Sequence, residues 1–370
     1  MDIQDIDYIL LEKGKPCLSL IIPTHKYSRD RIQNPEVIKK AIQKAEKLLE
    51  HTAWPKEQVT QLESKLQTLK NRIDYVRLQE GLAIFISPNI FKIVLLPFTV
   101  TEKIMLGKKF EIRDIIYFNQ FLEPYYLLTL SKKIARLFKG RGRDLQEIKN
   151  DDFPKKYSKD YEYARPSRGR LIGQGLKSFE RDKYVMEEKR MQVFFRTADG
   201  TLNKYLKDNM PLLIAGVEED LIEFGTISTH GKNIAGKIKG NYDIDAVHPL
   251  AEIAWKMIQE NVRAAHEKML LELKENGGRN LAIGGIVEVW RAGQEGIGLT
   301  VLVEKDYQVR GYAINDNMRL ALNPPSQKYE IFPDAVNDIL EITREKGGNI
   351  VIVENGMLND FDRIAMILRY

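Results

Sequence analysis

YYLLTLSKKIARLFKGRGRDLQEI, residues 125–148, opens on six β-prone residues and, after a polar Ser-Lys-Lys break, returns through a second β-prone run at 134–138. Two such runs separated by turn residues predict a hairpin, and Gly140 predicts the turn that closes it. The hairpin marks the start of a new sheet, because the chain before it already contains a full set of strands and helices. Residues 17–22, CLSLII, form a short, apolar, β-rich run that stops at Pro23 and predict a buried strand. PEVIKKAIQKAEKLLE starts with Pro35 in a first-turn position and spaces Val37, Ala41, Ala45 and Leu48 along one helical face. The stretch from Pro55 repeats the device with Val59, Leu62, Leu66 and Leu69. LAIFIS, FKIVLLP and KIMLGKKFEI then predict three strands, and the first domain is expected to end near Phe121.

Downstream of the hairpin, residues 149–174 are polar and basic, carry Pro154 and Pro166, and show little apolar periodicity, which predicts a long exposed loop. A long helix is expected after Ser178, with Phe179, Tyr184, Met191, Phe194 and Phe195 facing its core. PLLIAGV predicts a buried strand, and HPLAEIAWKMIQENVRAAHEKMLLELKE predicts a long helix from apolar positions that recur every three or four residues. After Gly277 and Gly278, the stretch 281–296 predicts a helix closed by Gly293 or Gly296. LTVLVEK predicts a strand, FPDAVNDILEITREKG a helix ended by Gly347, and NIVIVEN and DRIAMILRY two strands. Alternating units of this size predict an α/β fold.

Length and charge bound what such a chain does. At 370 residues it exceeds one ordinary core, and about 150 residues per domain gives two or three domains. A single cysteine, Cys17, excludes an internal disulfide and a cysteine metal cluster, and fits a reducing cytoplasm. The N-terminal MDIQDIDYILLEKGKP carries acids where a secretory signal carries bases, and no run reaches the roughly 18 apolar residues needed to cross a bilayer. No membrane partner is expected. From Ser131 to Asp208 there are 21 Lys/Arg against 12 Asp/Glu, whereas Leu270 to Tyr370 holds 11 against 15. An anionic partner is therefore expected at the middle of the chain.

Within that middle, Arg136, Lys139, Arg141, Arg143, Lys155, Lys156, Arg165, Arg168, Arg170 and Lys177 are interleaved with Tyr157, Tyr161 and Tyr163. Cations contact phosphates and aromatic rings stack on unpaired bases, so the combination predicts RNA contact. Competing motifs carry less. GKNIAGKI, residues 231–238, has the spacing of a phosphate-binding loop, but Ile238 replaces the magnesium-binding hydroxyl and the flanks are turn-like, so an ordinary glycine-rich loop is expected. His25, His51, His230, His248 and His266 show no metal-ligand spacing, and no metal or cofactor is expected. His25, at the end of the first strand, is a candidate partner contact, since such strand ends often hold binding residues in α/β folds. Asp151 and Asp152 read as a solvated charge run, and no set of carboxylates for two-metal chemistry can be assembled.

The order CLSLIIPTH with two helices, LAIFISPNIFKIVLLP, YYLLTLSKKIARLFKG, PLLIAGV, HPLAEIAWKMIQE and the ending DRIAMILRY resembles bacterial members of the archaeal and eukaryotic release factor and Pelota superfamily over nearly the whole length. The resemblance implies an N-terminal α/β domain at 1–122, an RNase H-like middle domain at 123–276, and a ribosomal-protein-like α/β sandwich at 277–370. It also implies the ribosome and ribosomal RNA as partners, with tRNA and a translational GTPase beside them. True release factors carry a Gly-Gly-Gln tip roughly where RLIGQGLKSF lies here. In this chain Ile172 takes the first glycine position, and a β-branched residue strongly disfavours the positive φ that glycine permits. Gln174 is thus a weak catalytic candidate. Arg168, Arg170, Gly173, Gln174, Gly175 and Lys177, with Arg141, Arg143, Lys155 and Lys156, are expected to bind RNA. The function expected is a ribosome-associated factor binding the A site in rescue or hibernation without peptide release. The alternatives are a peptidyl-tRNA hydrolase, an RNase H-like nuclease, or an interaction module away from the ribosome.

Overall fold

The computed structural model describes residues 9, 11–12, 14–26, 29–157, 175–207, 210–242, 247–278 and 281–370, with the backbone alone at 29–30, 70, 175–188 and 247–248. It is a mixed α/β chain in two compact units, one formed by residues 1–120 with 268–370 and the other by 121–267.

The first unit begins with β1 (Cys17–Pro23), whose residues are almost all buried. Alternation splits them between two cores. Leu18, Leu20 and Ile22 point toward α1 (Asn34–Glu50) and α2 (Lys56–Arg72), meeting Ile38, Ala41, Ile42, Leu62, Leu66 and Leu69. Cys17 and Ile21 point the other way, onto Phe85, Val94, Phe110 and Ile115. Burial pushes the Cys17 thiol up to about 12, so it is no nucleophile at neutral pH. The sheet runs β3 (Phe91–Leu96), β2 (Gly81–Ile86), β1, β4 (Lys103–Gly107), antiparallel throughout. The stretch KIMLGKKFEI is a strand only as far as Gly107, and α3 (Arg113–Gln120) follows.

A second sheet in the same unit has the order β11 (Ala282–Gly284), β17 (Ile364–Leu368), β12 (Gly298–Glu304), β16 (Asn349–Val353). Two helices, α7 (Ile286–Glu295) and α8 (Ala335–Glu345), accompany it. Gly296, in the left-handed conformation at φ 77°, closes α7, as its sequence position predicts. Gly293 has a different task, since a Cβ there would lie 2.3 Å from Ile339 Cδ1 and prevent α7 from meeting α8. A small sheet, β14 (Arg319–Ala321), β13 (Gly311–Ile314), β15 (Glu330–Phe332), lies in the connection between β12 and α8.

The N-terminal and C-terminal segments of this unit are joined by buried polar contacts. Arg113, fully buried, pairs with Asp334, donates to the Tyr307 carbonyl, and lies 3.5 Å from Glu111. Asn337 accepts from the Ile112 amide at 3.2 Å and donates to the Phe110 carbonyl at 3.1 Å. Gln120 pairs twice with the backbone of Ile352, at 2.9 and 2.7 Å. Each contact satisfies a polar group that would be costly to bury alone.

In the second unit, β5 (Tyr125–Leu130) and β6 (Ile134–Arg141) form the predicted hairpin. Its closing turn is not at Gly140, which stays in β6. A Cβ at Gly140 would lie 2.2 Å from Tyr125 Cζ, so the residue is glycine to make room for a buried ring. The chain turns at Gly142, φ 58°, into β7 (Asp144–Glu147). The sheet order is β10 (Ile234–Lys239), β9 (Leu212–Gly216), β5, β6, β7, parallel on the β10–β9–β5 side and antiparallel on the other. Residues 234–238 of GKNIAGKI, expected to be loop, therefore belong to an edge strand. On one face α4 (Gly175–Leu202) and α5 (Glu218–Ile227) cover Leu128, Leu137 and Ile214 with Phe195, Leu202 and Phe224. On the other, Leu250, Ala254 and Ile258 of α6 (Val247–Gly277) cover Tyr125, Leu127, Phe138 and Leu213.

Candidate nucleic-acid interface

The turn between β5 and β6 is held by Ser131. Its hydroxyl oxygen accepts from the amides of Lys133 and Ile134, both at 3.2 Å, and its own amide donates to the Ile134 carbonyl at 3.1 Å. The turn presents Lys132 and Lys133 to solvent. Beside it runs the two-residue strand β8 (Lys155–Lys156), with Lys156 opposite Ile134 and Lys155 opposite Ala135, extended by a 2.8 Å bond from the Tyr157 amide to the Lys133 carbonyl. Neighbouring strands lie about 4.8 Å apart, so four lysines share one corner of the sheet. Lys133 and Lys156 are exposed, Lys155 has its ammonium 5.9 Å from the Phe153 ring, and Lys132 has Glu219 at 3.6 Å with both side chains largely solvated. A solvated pair of that kind contributes little and leaves the cation free to exchange partners. Such a corner can meet a phosphate backbone without breaking any interaction that holds the fold.

Residues 124–296, which include this corner, match the family model described as bacterial archaeo-eukaryotic release factor family 3. Over that stretch, just under half of its length, the chain is similar to this family. Among solved structures, the archaeal translation termination factor aRF1 is 14% identical over 99% of this chain and 96% of its own, with a TM-score of 0.25. Archaeoglobus fulgidus Pelota is 13% identical over 99% and 92%, with a TM-score of 0.38. S. cerevisiae Dom34 is 12% identical over 79% and 74%, with a TM-score of 0.41. No curated protein matches significantly.

The structure separates the residues expected to bind RNA. Lys155 and Lys156 sit at the start of β6, while Arg141 and Arg143 lie at its far end, about 23 Å away at the rise of a strand. Arg141 donates to the Leu122 carbonyl at 3.2 Å, and Arg143 has Glu252 at 3.5 Å. Arg136 is occupied by Glu147 through two bonds of 2.7 and 3.0 Å, which hold the Glu147 carboxyl below its usual range. Lys139 is exposed. Tyr157 packs edge-on against Phe194 at 5.7 Å and so belongs to the core rather than to a stacking platform. Arg168, Arg170, Gly173 and Gln174 lie outside the described residues, as do Tyr161 and Tyr163. Gly175 and Lys177 fall in the first turn of α4, which begins before the expected Ser178. His25 has a structural contact in its backbone, which exchanges two 2.9 Å bonds with the buried Asn34 side chain.

One buried constellation has no local signal in the sequence. Asp199 of α4 accepts from Ser228 Oγ at 2.6 Å, from the Thr229 amide at 2.9 Å and from Thr229 Oγ1 at 2.7 Å, and meets His230 Nδ1 at 2.9 Å. Burial pushes this carboxyl up, but the bonds from His230, Ser228 and Thr229 outweigh it and hold the group below the ordinary aspartate value. The set of residue types is that of a hydrolase triad, yet the connectivity is wrong. Ser228 donates to the aspartate rather than to the histidine, and His230 Nε2 faces Asn203 Oδ1 at 3.1 Å. The network ties the end of α4 to the loop before β10. Asp152 and Asp151 also part company: Asp152 pairs with Lys204 at 2.7 Å and accepts from the Tyr205 hydroxyl at 3.2 Å. Among the described residues no group of three or more His, Cys, Asp or Glu is placed to hold a metal ion, and no helix is long and apolar enough to cross a membrane.

Proposed function

We propose that this protein is a cytoplasmic, ribosome-associated translation factor that occupies the A site during rescue or hibernation and does not release peptide. The observation that carries the reading is the corner of Lys132, Lys133, Lys155 and Lys156 on the unit that matches the release factor family. Four ammonium groups on one sheet corner suit the regularly spaced phosphates of ribosomal RNA. Arg168, Arg170, Gly173, Gln174, Gly175 and Lys177 are assigned to the same RNA contact, because they follow β8 in the sequence and continue its basic run. Arg141 and Arg143 provide a second contact at the other end of β6. The RNase H-like character of the middle domain, residues 123–276, is supported by three antiparallel strands followed by two parallel ones in a five-strand order. Ile172 supports the absence of peptide release, because it replaces a glycine with the residue class least tolerant of positive φ. A tRNA and a translational GTPase are the further partners of this reading, with His25 in the first domain, 1–122, and the acidic last domain, 277–370, as the surfaces that meet proteins.

Sedimentation with ribosomes across a salt series tests the proposal. Replacing the four lysines by serine is expected to lower affinity and to flatten the log affinity against log salt slope by about 3, from roughly 0.7 per phosphate contact. Wild-type protein that stays off ribosomes at every salt concentration would refute it. Equal peptide release by wild type and Gln174→Ala would separately remove the hydrolase alternative.

A further inference from the structure

In the first unit, away from the lysine corner, a cavity of about 590 Å³ runs between two strands of different sheets. β4 is the last strand of the sheet that contains β1, and β15 is the last strand of the small sheet. Among the described residues each pairs on one side only. The cavity is lined by Met105, Leu106 and Gly107 of β4 and by Glu330, Ile331 and Phe332 of β15. Three consecutive residues from each strand identify what it follows. A strand that turned a face to a cavity would offer alternate residues, whereas one that turns its edge offers every residue, backbone included.

An unpaired edge carries a row of amides and carbonyls, which a protein leaves to water or pairs with another strand. Neighbouring strands lie about 4.8 Å apart and side chains fill a layer about 10 Å deep, so at about 3.3 Å per residue an extended chain takes roughly 160 Å³ per residue. A volume of about 590 Å³ thus holds roughly four residues of extended chain. Its walls also suit side chains, since Trp54, Phe332 and Ile342 line it and are half-buried. At the opening, exposed Asp316 and Glu330 stand against Lys108, which is 3.7 Å from Glu330 with both side chains largely solvated. The less exposed Lys109 is shared between Asp338 and Glu341. Carboxylates are therefore in excess.

We propose that the cleft between β4 and β15 receives a short extended peptide of a partner protein, which enters as an added strand paired to both edges. An extended chain carries alternating amides and carbonyls on its two sides, and so matches two strand edges at once. Apolar side chains of the peptide meet Trp54, Phe332 and Ile342, and basic ones answer the excess of carboxylates. The two edges hold the occupant, and the charges select it.

Calorimetric titration of the full chain with acetyl-Lys-Val-Lys-Val-Lys-Val-amide at low salt tests the assignment. One saturable site is expected. Successive amides of a strand point to opposite sides, so N-methylating the lysine amides removes the donors to one edge and N-methylating the valine amides removes those to the other. Each methylated peptide is expected to bind at least tenfold more weakly, and the unmodified peptide severalfold more weakly to Glu330→Gln. Hydrogen exchange supplies a second readout, since the unmodified peptide is expected to slow exchange in both β4 and β15. No saturable binding would overturn the proposal. So would equal binding of all three peptides, which would leave only diffuse attraction to surface acids. A loss confined to one methylated peptide would overturn insertion between two edges, because a single edge would then suffice.

Discussion

Arg113→Met removes the cation on which the seam of the first unit depends. Methionine replaces most of the volume, so the cost is electrostatic rather than a cavity. The guanidinium is fully buried, burial alone would lower its pKa, and Glu111 and Asp334 reverse that trend. Without it two buried carboxylates lose their counter-charge, and the Tyr307 carbonyl and Asp334 lose donors. Removing one partner of a buried pair costs about 3–5 kcal/mol. The chain has two units, so a single global midpoint would mix them, and hydrogen exchange read peptide by peptide is the better assay. At one decade per roughly 1.4 kcal/mol, amides in α3 and α8 are expected to exchange about a hundred- to several-thousandfold faster, while those of β5 and β9 keep their protection. Adding Asp334→Asn and Glu111→Gln to Arg113→Met should restore part of the loss, since no buried charge then stands alone. A loss below tenfold, or an equal loss in both units, would refute the claim that this residue joins the two segments.

Asp338→Asn addresses a carboxyl raised to about 7: such a group holds its proton more tightly folded than unfolded, so the first unit should lose stability as pH climbs from about 4 to about 7. The loss is on the order of 4 kcal/mol in the wild type and should vanish from an otherwise parallel pH profile of the variant. Asp199→Asn is expected to destabilise the second unit by about 2–3 kcal/mol in denaturant titrations at pH 7, because a charge-assisted network loses its charge. Asp199 has the opposite sign from Asp338: its folded pKa is depressed, so its contribution is present above about pH 4 and lost as pH falls through the depressed value. The difference between wild type and Asp199→Asn should therefore shrink in strong acid. Gly140→Ala forces a methyl group into the ring of Tyr125, and a loss of about 1–3 kcal/mol in the same titrations is expected where an ordinary strand glycine would gain from alanine.

Where burial is two-sided, the fold could be read from sequence. β1 is apolar at nearly every position because both faces are covered, and α1 and α2 repeat apolar residues at the spacing of one helical face. The elements that escaped have other reasons for their form. β10 carries a glycine, Gly236, followed by exposed Lys237 and Lys239 on either side of Ile238, because it is an edge strand whose pairing comes from β9 and not from its own side chains. The strands of the small sheet are three or four residues long, too short for alternation to rise above chance. Gly140 was misleading for a specific reason. A glycine signals either positive φ or close approach, and only the facing ring of Tyr125, fifteen residues earlier in the chain, tells the two apart.

The proposed RNA-binding surface follows the same logic at a larger scale. Basic composition points to the segment that carries the proposed corner, yet composition has no register, and register decides which cations act together. Pairing β8 against the start of β6 gathers Lys155 and Lys156 with Lys132 and Lys133, which the sequence places more than twenty residues away. The same strand carries Arg141 to its opposite end and gives Arg136 to Glu147. Cations that the fold uses internally cannot be spared for a partner without a cost in stability, whereas the four corner lysines can be lost at little cost to the fold. Substitutions at the corner should therefore change binding without stability, and substitution of Arg136 should change stability first, a contrast that separates an interface from a merely basic domain.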